Sequence, residues 1–426
     1  MSGLQTRRGI SENEGHYWAK NPSSLTTTSV TGDFVVGSGL DIYNTAILPT
    51  IESAQHEVIL VTCFWAHSPS LTNLSSTLKI LSNRHASSPF GTPKLRVRLC
   101  FSSRSLFQKL FHTSSPAGYI YPPTQWVSKL GLPSPEELQG LDLQIKSIFV
   151  RPFSVLHPKF IIVDRRLALL PSCNLSWETW LECCLPLTGP IVSSLLQFWR
   201  CTWGRNDLPV LPITADCNST SSSAHSSILL PSPHHRWPSF RPFLSIPLPP
   251  PTPLNTLILH LISNATQSLI FLTPNLTSPP VIAAILAALN RGVDTLIFTN
   301  RRMMVLEQLI TAGTITELCV WHFVRDYRKL DVATSTGSAA RTEEGRGRVG
   351  RLRIAYFVSG REAKCHIKCT IADGEVVALG SGNMDRASWY TSQELGVALE
   401  GREIVQNIWG TLEAHLGGKI EKHFGW

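Results

Sequence analysis

Apolar and polar positions along this chain fall into blocks that come twice. Glu57-Val-Ile-Leu-Val-Thr-Cys63 is an apolar run of strand length, and so is Ser268-Leu-Ile-Phe-Leu-Thr-Pro274. Each follows an amphipathic stretch, Ile47 to Ala54 or Leu257 to Ala265, and precedes another. A second apolar run comes next in each half, Leu95-Arg-Val-Arg-Leu-Cys-Phe101 and Thr295-Leu-Ile-Phe-Thr299. Phe160 to Val163 and Cys369 to Ala372 are apolar throughout, as buried strands are. Each half then closes on a helical pattern, Gly189 to Trp199 and Gly401 to Trp409. Alternating strands and helices predict an α/β fold made of two similar lobes, each a mixed sheet flanked by helices.

The duplication extends to polar residues. His157-Pro-Lys159-Phe-Ile-Ile-Val-Asp164 recurs as His366-Ile-Lys368-Cys-Thr-Ile-Ala-Asp373, and the offset is 209 residues for His, Lys and Asp alike. Asn174 and Asn383 keep the same offset of 209, in the strings Pro171-Ser172-Cys-Asn174 and Gly380-Ser381-Gly-Asn383. The expected organisation is a disordered segment 1–36, a first lobe 37–205, a Pro/Ser-rich linker 206–253 and a second lobe 254–426.

Composition narrows the class. With 43% apolar residues in 426, the chain carries enough for a sizeable core and is not wholly disordered. No run reaches roughly 18 apolar residues, so no transmembrane helix is expected. The N-terminus has no apolar signal region, and ten scattered cysteines suit reduced thiols better than a disulfide scaffold. A cytoplasmic protein is expected. The net charge of +8 suits a phosphate-bearing partner. Half of it lies in residues 325–353, whose centre, Thr334 to Gly350, reads as a mobile basic loop.

On a strand, positions i and i+2 share a face, so His157 and Lys159 should project together, as should His366 and Lys368. Imidazole is a nucleophile or proton shuttle near neutral pH, and ammonium groups stabilise phosphoryl oxygens. Two such pairs suit phosphodiester chemistry in which one histidine attacks phosphorus and the other protonates the leaving oxygen. No ligand set of zinc spacing is present, and no metal or cofactor is expected. Each histidine needs an acceptor on its second nitrogen. Candidates are Glu182, 25 residues after His157, and Glu394, 28 after His366.

These residues resemble the phospholipase D superfamily and its HKD motif. The resemblance covers both halves and implies a two-lobed fold with one active site at the interface. It implies that His157 is the nucleophile and His366 the acid/base, with Lys159, Lys368, Asn174 and Asn383 binding phosphate. Glu182 and Glu394 would orient the histidines, and Asp164 and Asp373 would be structural. Ser172 and Ser381 are expected near the phosphate. Pro171 and Cys173 depart from the glycines of Gly380-Ser381-Gly382, which puts the shape of the first loop in question. Trp65, Trp177, Trp180, Trp389 and Tyr390 are candidates to line a pocket.

The overall length and the helix-to-strand turn Leu289-Asn-Arg-Gly-Val-Asp294 look like cardiolipin-synthase-type members. The resemblance implies a monomeric phospholipid phosphodiesterase or phosphatidyltransferase, with water or an alcohol as acceptor and peripheral contact with an intracellular membrane. A nuclease of the same superfamily is the second reading. A catalytically silent binding module is the third, and the intact His and Lys pairs oppose it.

Overall fold

The computed structural model describes residues 25–87, 93–105, 108, 118–150, 154–204, 224–233, 248–336, 348–360 and 363–426. The first lobe contributes β1 (Thr26–Thr31), β2 (Val35–Ser38), β3 (Glu57–Phe64), β4 (Leu95–Ser103) and β5 (Tyr119–Ile120). It continues with β6 (Leu141–Ser147), β7 (Phe160–Val163), β8 (Leu167–Pro171) and β9 (Leu181–Thr188). The second contributes β10 (His225–Ser232), β11 (Ser268–Leu272), β12 (Asp294–Thr299) and β13 (Leu352–Phe357). It ends with β14 (Cys369–Ala372), β15 (Val376–Gly380), β16 (Glu394–Glu400) and β17 (Ile420–Phe424).

The spatial orders are identical. The first sheet runs β5–β6–β4–β3–β7–β8–β9–β2, and the second runs β17–β13–β12–β11–β14–β15–β16–β10. In each, three central strands are parallel and the rest antiparallel. Parallel neighbours need a crossover, and helices supply it. Pro69–Ala86 links β3 to β4, and Pro279–Asn290 links β11 to β12. The first is capped by the Ser68 hydroxyl, which accepts from the Leu71 N–H, and buries Leu71, Leu74, Leu78 and Leu81 along one stripe.

β1 joins the sheets. Thr26–Ser29 pair with β10, and Val30 and Thr31 pair with β9. Each lobe has its own core between sheet and outer helices. A third core lies where the lobes meet, with Phe160, Leu195 and Trp199 from the first and Ile367, Val397 and Leu412 from the second.

Three expectations change. Residues 26–36, read as part of a disordered segment, hold β1 and the start of β2; residues 1–24 lie outside the described residues. The stretch 206–253, read as linker, holds β10, which sits between β1 and β16 with both edges hydrogen-bonded and Leu229 and Leu230 buried. β10 occupies in the second sheet the place of β2 in the first. Averaging composition over a Pro/Ser-rich region concealed this short strand. Residues 205–223 and 234–247 lie outside the described residues. The basic segment is partly helical, since the helix Thr316–Thr336 carries Arg325, Arg328 and Lys329. Arg348 pairs with Asp294 at 2.9 Å, and residues 337–347 of the expected loop lie outside the described residues. Among the described residues, no helix is long and apolar enough to cross a membrane.

Candidate active site

The two His-x-Lys segments lie just before β7 and β14 and meet across the lobe junction. Their ring centroids are 6.5 Å apart, with the planes nearly perpendicular at 82°. Each segment is anchored on the opposite lobe by a parallel bridge, Leu156 to Gln393 and Leu181 to Cys365. The His157 N–H donates to the Gln393 carbonyl at 2.9 Å, and the His366 N–H donates to the Leu181 carbonyl at 2.8 Å. A parallel bridge carries the next residues of both strands forward together. His157 therefore emerges beside Glu394, and His366 beside Glu182.

The histidine–carboxylate pairs are consequently crossed. His157 Nδ1 lies 2.9 Å from Glu394 Oε2, and His366 Nδ1 lies 2.9 and 3.1 Å from the two Glu182 oxygens. Sequence spacing had suggested that each glutamate serves the histidine of its own half. Folding gives each histidine the glutamate of the other half. A carboxylate at Nδ1 fixes the ring and keeps the proton there, which leaves Nε2 as the free lone pair.

Ser172 and Ser381, expected near the phosphate, support the glutamates instead. Ser172 Oγ donates to Glu182 Oε2 and Ser381 Oγ to Glu394 Oε2. Each hydroxyl also accepts from the next strand, from the Cys183 N–H at 2.8 Å and the Leu395 N–H at 3.0 Å. The arrangement is the same in both lobes, so Pro171 and Cys173 do not alter the first loop's serine. A Cβ on Gly380 would lie 2.4 Å from the Leu395 carbonyl oxygen, a space a larger residue cannot occupy.

Lys159 and Lys368 are buried, and their Nζ atoms donate to the carbonyls of their own histidines, at 2.9 and 2.6 Å. Each lysine thus braces the main chain of its His-x-Lys segment and places a positive charge under the junction. Burial and the Lys159 charge lower the Lys368 ammonium. Burial also lowers His157, against the pull of Glu394, and burial together with Lys368 and Lys159 takes His366 well below the ordinary imidazole range. The carboxylates diverge. Burial pushes Glu182 up to about 7, whereas for Glu394 the bonds from His157 and Ser381 outweigh burial and hold the carboxyl low.

Both rings open onto one cavity of about 620 Å³. Its walls include Phe64, Phe149, Val155, Met304 and Ile310, with Asn174 and Asn383 beside the histidines. Asn174 accepts the Phe64 N–H at 3.3 Å, and the Asn383 amide donates to Asp385 at 3.0 Å. Trp180 lies against His366, centroids 4.8 Å apart, and Trp177 is exposed at Phe64. Trp65 is buried, with its indole N–H on the Leu130 carbonyl, and Trp389 is buried in the second lobe's core. Tyr390 is partly buried against that core. Spacing did not single out Met304, Ile310, Glu178, Glu307 or Asp385, all of which reach the cavity. They lie outside the repeated motif, and apolar or acidic residues there carry no distinctive sequence mark.

Asp164 and Asp373 stand away from the cavity and do one structural job twice. Asp164 accepts from the N–H groups of Gln55, His56 and Glu57, at 2.9, 2.7 and 2.8 Å. Asp373 accepts from those of Thr266, Gln267 and Ser268, at 2.9, 2.8 and 2.9 Å. Each pins the first residues of a central strand to the turn that ends its neighbour. Both aspartates have positive φ, 50° and 53°, a conformation Asp tolerates better than most residues. The three N–H groups and the Thr266 hydroxyl outweigh burial and hold the Asp373 carboxyl below its usual range.

Residues 258–416 match the family model described as cardiolipin synthase, PLD-like domain. The sequence matches no curated protein. Among solved structures, a phosphatidylserine synthase from Haemophilus influenzae Rd KW20 is similar with TM-score 0.58 and 12% identity, over 96% of this chain and 91% of that one. A polyphosphate kinase from Porphyromonas gingivalis gives TM-score 0.52 and 12% identity, over 92% of this chain and 48% of that one. At such identity the likeness is one of fold, and it takes in both lobes.

Proposed function

We propose that this phospholipase D-like chain is a phospholipid phosphodiesterase or phosphatidyltransferase that works through a phosphohistidine. The observation that carries the reading is the pair of histidines, each backed by a carboxylate from the other lobe, facing one apolar-walled cavity. The ring centroids are 6.5 Å apart, close enough for one phosphodiester to meet both rings.

In the proposed cycle, His157 Nε2 attacks phosphorus. The P–O bond to the leaving alcohol breaks, and the His366 imidazolium gives that oxygen its proton. His366, now neutral, takes a proton from water or an acceptor alcohol, whose oxygen attacks phosphorus and releases His157. His157 is assigned the nucleophilic role because Glu394 is held ionised behind it and because its ring is the more accessible, 14% exposed against 5% for His366. An ionised carboxylate stabilises the imidazolium character that develops at His157 on attack. The anionic phosphodiester restores to His366 the proton that its buried, cationic surroundings disfavour. Lys159 and Lys368 supply positive charge beneath the phosphoryl oxygens, and Asn174 and Asn383 line their approach.

The cavity favours lipid over nucleic acid. Among its described lining residues there is no Lys or Arg, and Glu178, Glu307 and Asp385 contribute acids. A polyanion lacks there the cationic track that such binding requires. The test is incubation with phosphatidylglycerol or phosphatidylcholine plus a primary alcohol, and separately with single-stranded DNA. A phosphatidyl-alcohol or phosphatidic acid product is expected. Cleaved DNA beside inert lipid would overturn the lipid reading.

A further inference from the structure

The helix Val305–Ala312 is built inside out. Gln308 is its buried side chain, and the amide is fully used. It donates to the Met303 carbonyl and to Asn275 Oδ1, and it accepts from the Thr316 N–H and hydroxyl, both at 2.8 Å. Leu306, Leu309 and Ile310 instead face solvent, 76%, 46% and 59% exposed. A surface helix of a globular protein places these residue types the other way round.

The exposed strip is continuous with the catalytic cavity. Met304, Glu307, Ile310 and Thr311 line that cavity, so the same short segment forms its wall and then runs out onto the surface through Leu306 and Leu309. Across the mouth, the exposed Trp177 stands edge-on to Phe64, itself a wall residue, with centroids 5.8 Å apart. Both lobes therefore give the opening an apolar rim. Positive charge borders it. Arg301 and Arg302 are exposed just before Met303 and Met304, with Arg301 also paired to Glu421 at 3.0 Å. The Arg302 N–H is held by Glu317, and from Glu317 the helix face continues to the exposed Trp321 and to Arg325, which lies over the indole.

We infer that this rim seats the chain on a bilayer surface carrying anionic headgroups, with Leu306, Leu309 and Trp177 in the acyl boundary and the arginines at headgroup level. The inference rests on the lipid reading above and adds the route by which substrate arrives. A protein partner on this strip would close the mouth. A bilayer feeds the mouth, because a phospholipid can slide its phosphate toward the histidines while its chains stay in the apolar phase.

The experiment is co-sedimentation of the full chain with vesicles of phosphatidylcholine, with and without phosphatidylglycerol. The native chain is compared with Leu306→Glu/Leu309→Glu and with the milder Leu306→Ser/Leu309→Ser. The native chain should pellet with vesicles, more so with phosphatidylglycerol. The glutamate pair should weaken binding by about tenfold or more and the serine pair by less. Melting temperature and hydrolysis of water-soluble bis-p-nitrophenyl phosphate should not change. A native chain that ignores both vesicles, or a glutamate variant that binds as well as native, overturns the inference. So does a native dimer that the variant turns into a monomer with vesicle binding intact. Vesicle binding is read without turnover. A chain that binds vesicles and hydrolyses nothing therefore refutes the catalytic reading alone, and one that hydrolyses the soluble ester without binding vesicles refutes the docking alone.

Discussion

The first lobe and the second share strand order, crossover helices, His-x-Lys segments and aspartate staples, yet they do not treat their histidines alike. His157 is the more open ring and leans on Glu394, whose carboxyl is held low. His366 lies under Trp180, is surrounded by the charges of Lys368 and Lys159, and leans on Glu182, whose carboxyl burial has raised. Duplication supplied two chemically identical groups at one junction. The surroundings then made them unequal.

The hardest blow to this comparison is to remove either ring. His157→Ala and His366→Ala should each lower kcat by roughly 10⁴-fold or more on a phosphodiester substrate, because the proposed cycle uses both as a unit. Trapping with labelled substrate should place phosphate on His157 in the native chain. Label on His366 would reverse the roles, and turnover in both single variants would end the two-histidine scheme.

A milder change separates the carboxylates. Glu394→Gln and Glu182→Gln should each cost roughly 10²–10⁴ in kcat with a poor leaving group. With p-nitrophenolate leaving, which needs little protonation, the loss in Glu182→Gln should shrink while that in Glu394→Gln persists. Equal losses with both substrates would show that the carboxylates are interchangeable.

The pH profile should carry the same asymmetry. The proposed cycle needs one neutral and one protonated ring, so raising the pH removes the acid and lowering it removes the nucleophile. Both rings are shifted below the ordinary value of 6.5, so the window in which the pair holds one proton lies on its acid side. The kcat/KM bell should peak below pH 6.5, and a maximum on the alkaline side would contradict the lowering of both rings.

The smallest effect tests equivalence. Asp164→Ala and Asp373→Ala should each cost about 1–3 kcal/mol in chemical denaturation, since three backbone donors lose their acceptor in either lobe. The folded-state Asp373 carboxyl is depressed, so its contribution is present above the unfolded pKa and fades as pH falls through the folded one. The gap between native and Asp373→Ala should therefore close in acid. A large difference between the two substitutions would mean that the staples are not equivalent.

Much of this was legible in the chain. The apolar runs fixed the central strands because buried parallel strands tolerate little else, and the constant offset of His, Lys, Asp and Asn exposed the repeat. The aspartates read as turn residues, and they are. The crossing was hidden because spacing along the chain says nothing about which lobe a side chain will face; the bridges Leu156–Gln393 and Leu181–Cys365 decide that, and they form between lobes. The serines sat one strand end from the phosphate in sequence, but in the fold each hydroxyl meets a buried carboxylate first. β10 was masked by neighbouring prolines and serines. The helix Val305–Ala312 has an ordinary amphipathic pattern, and the pattern does not reveal that its polar face is the one turned inward.

The crossed glutamates also act as an interlock. A hinge motion that parted the lobes would draw Glu394 from His157 and Glu182 from His366 in the same movement, so an opened cleft would be disarmed on both sides at once. A stray phosphodiester meeting a gaping chain would find two unsupported imidazoles and leave unchanged.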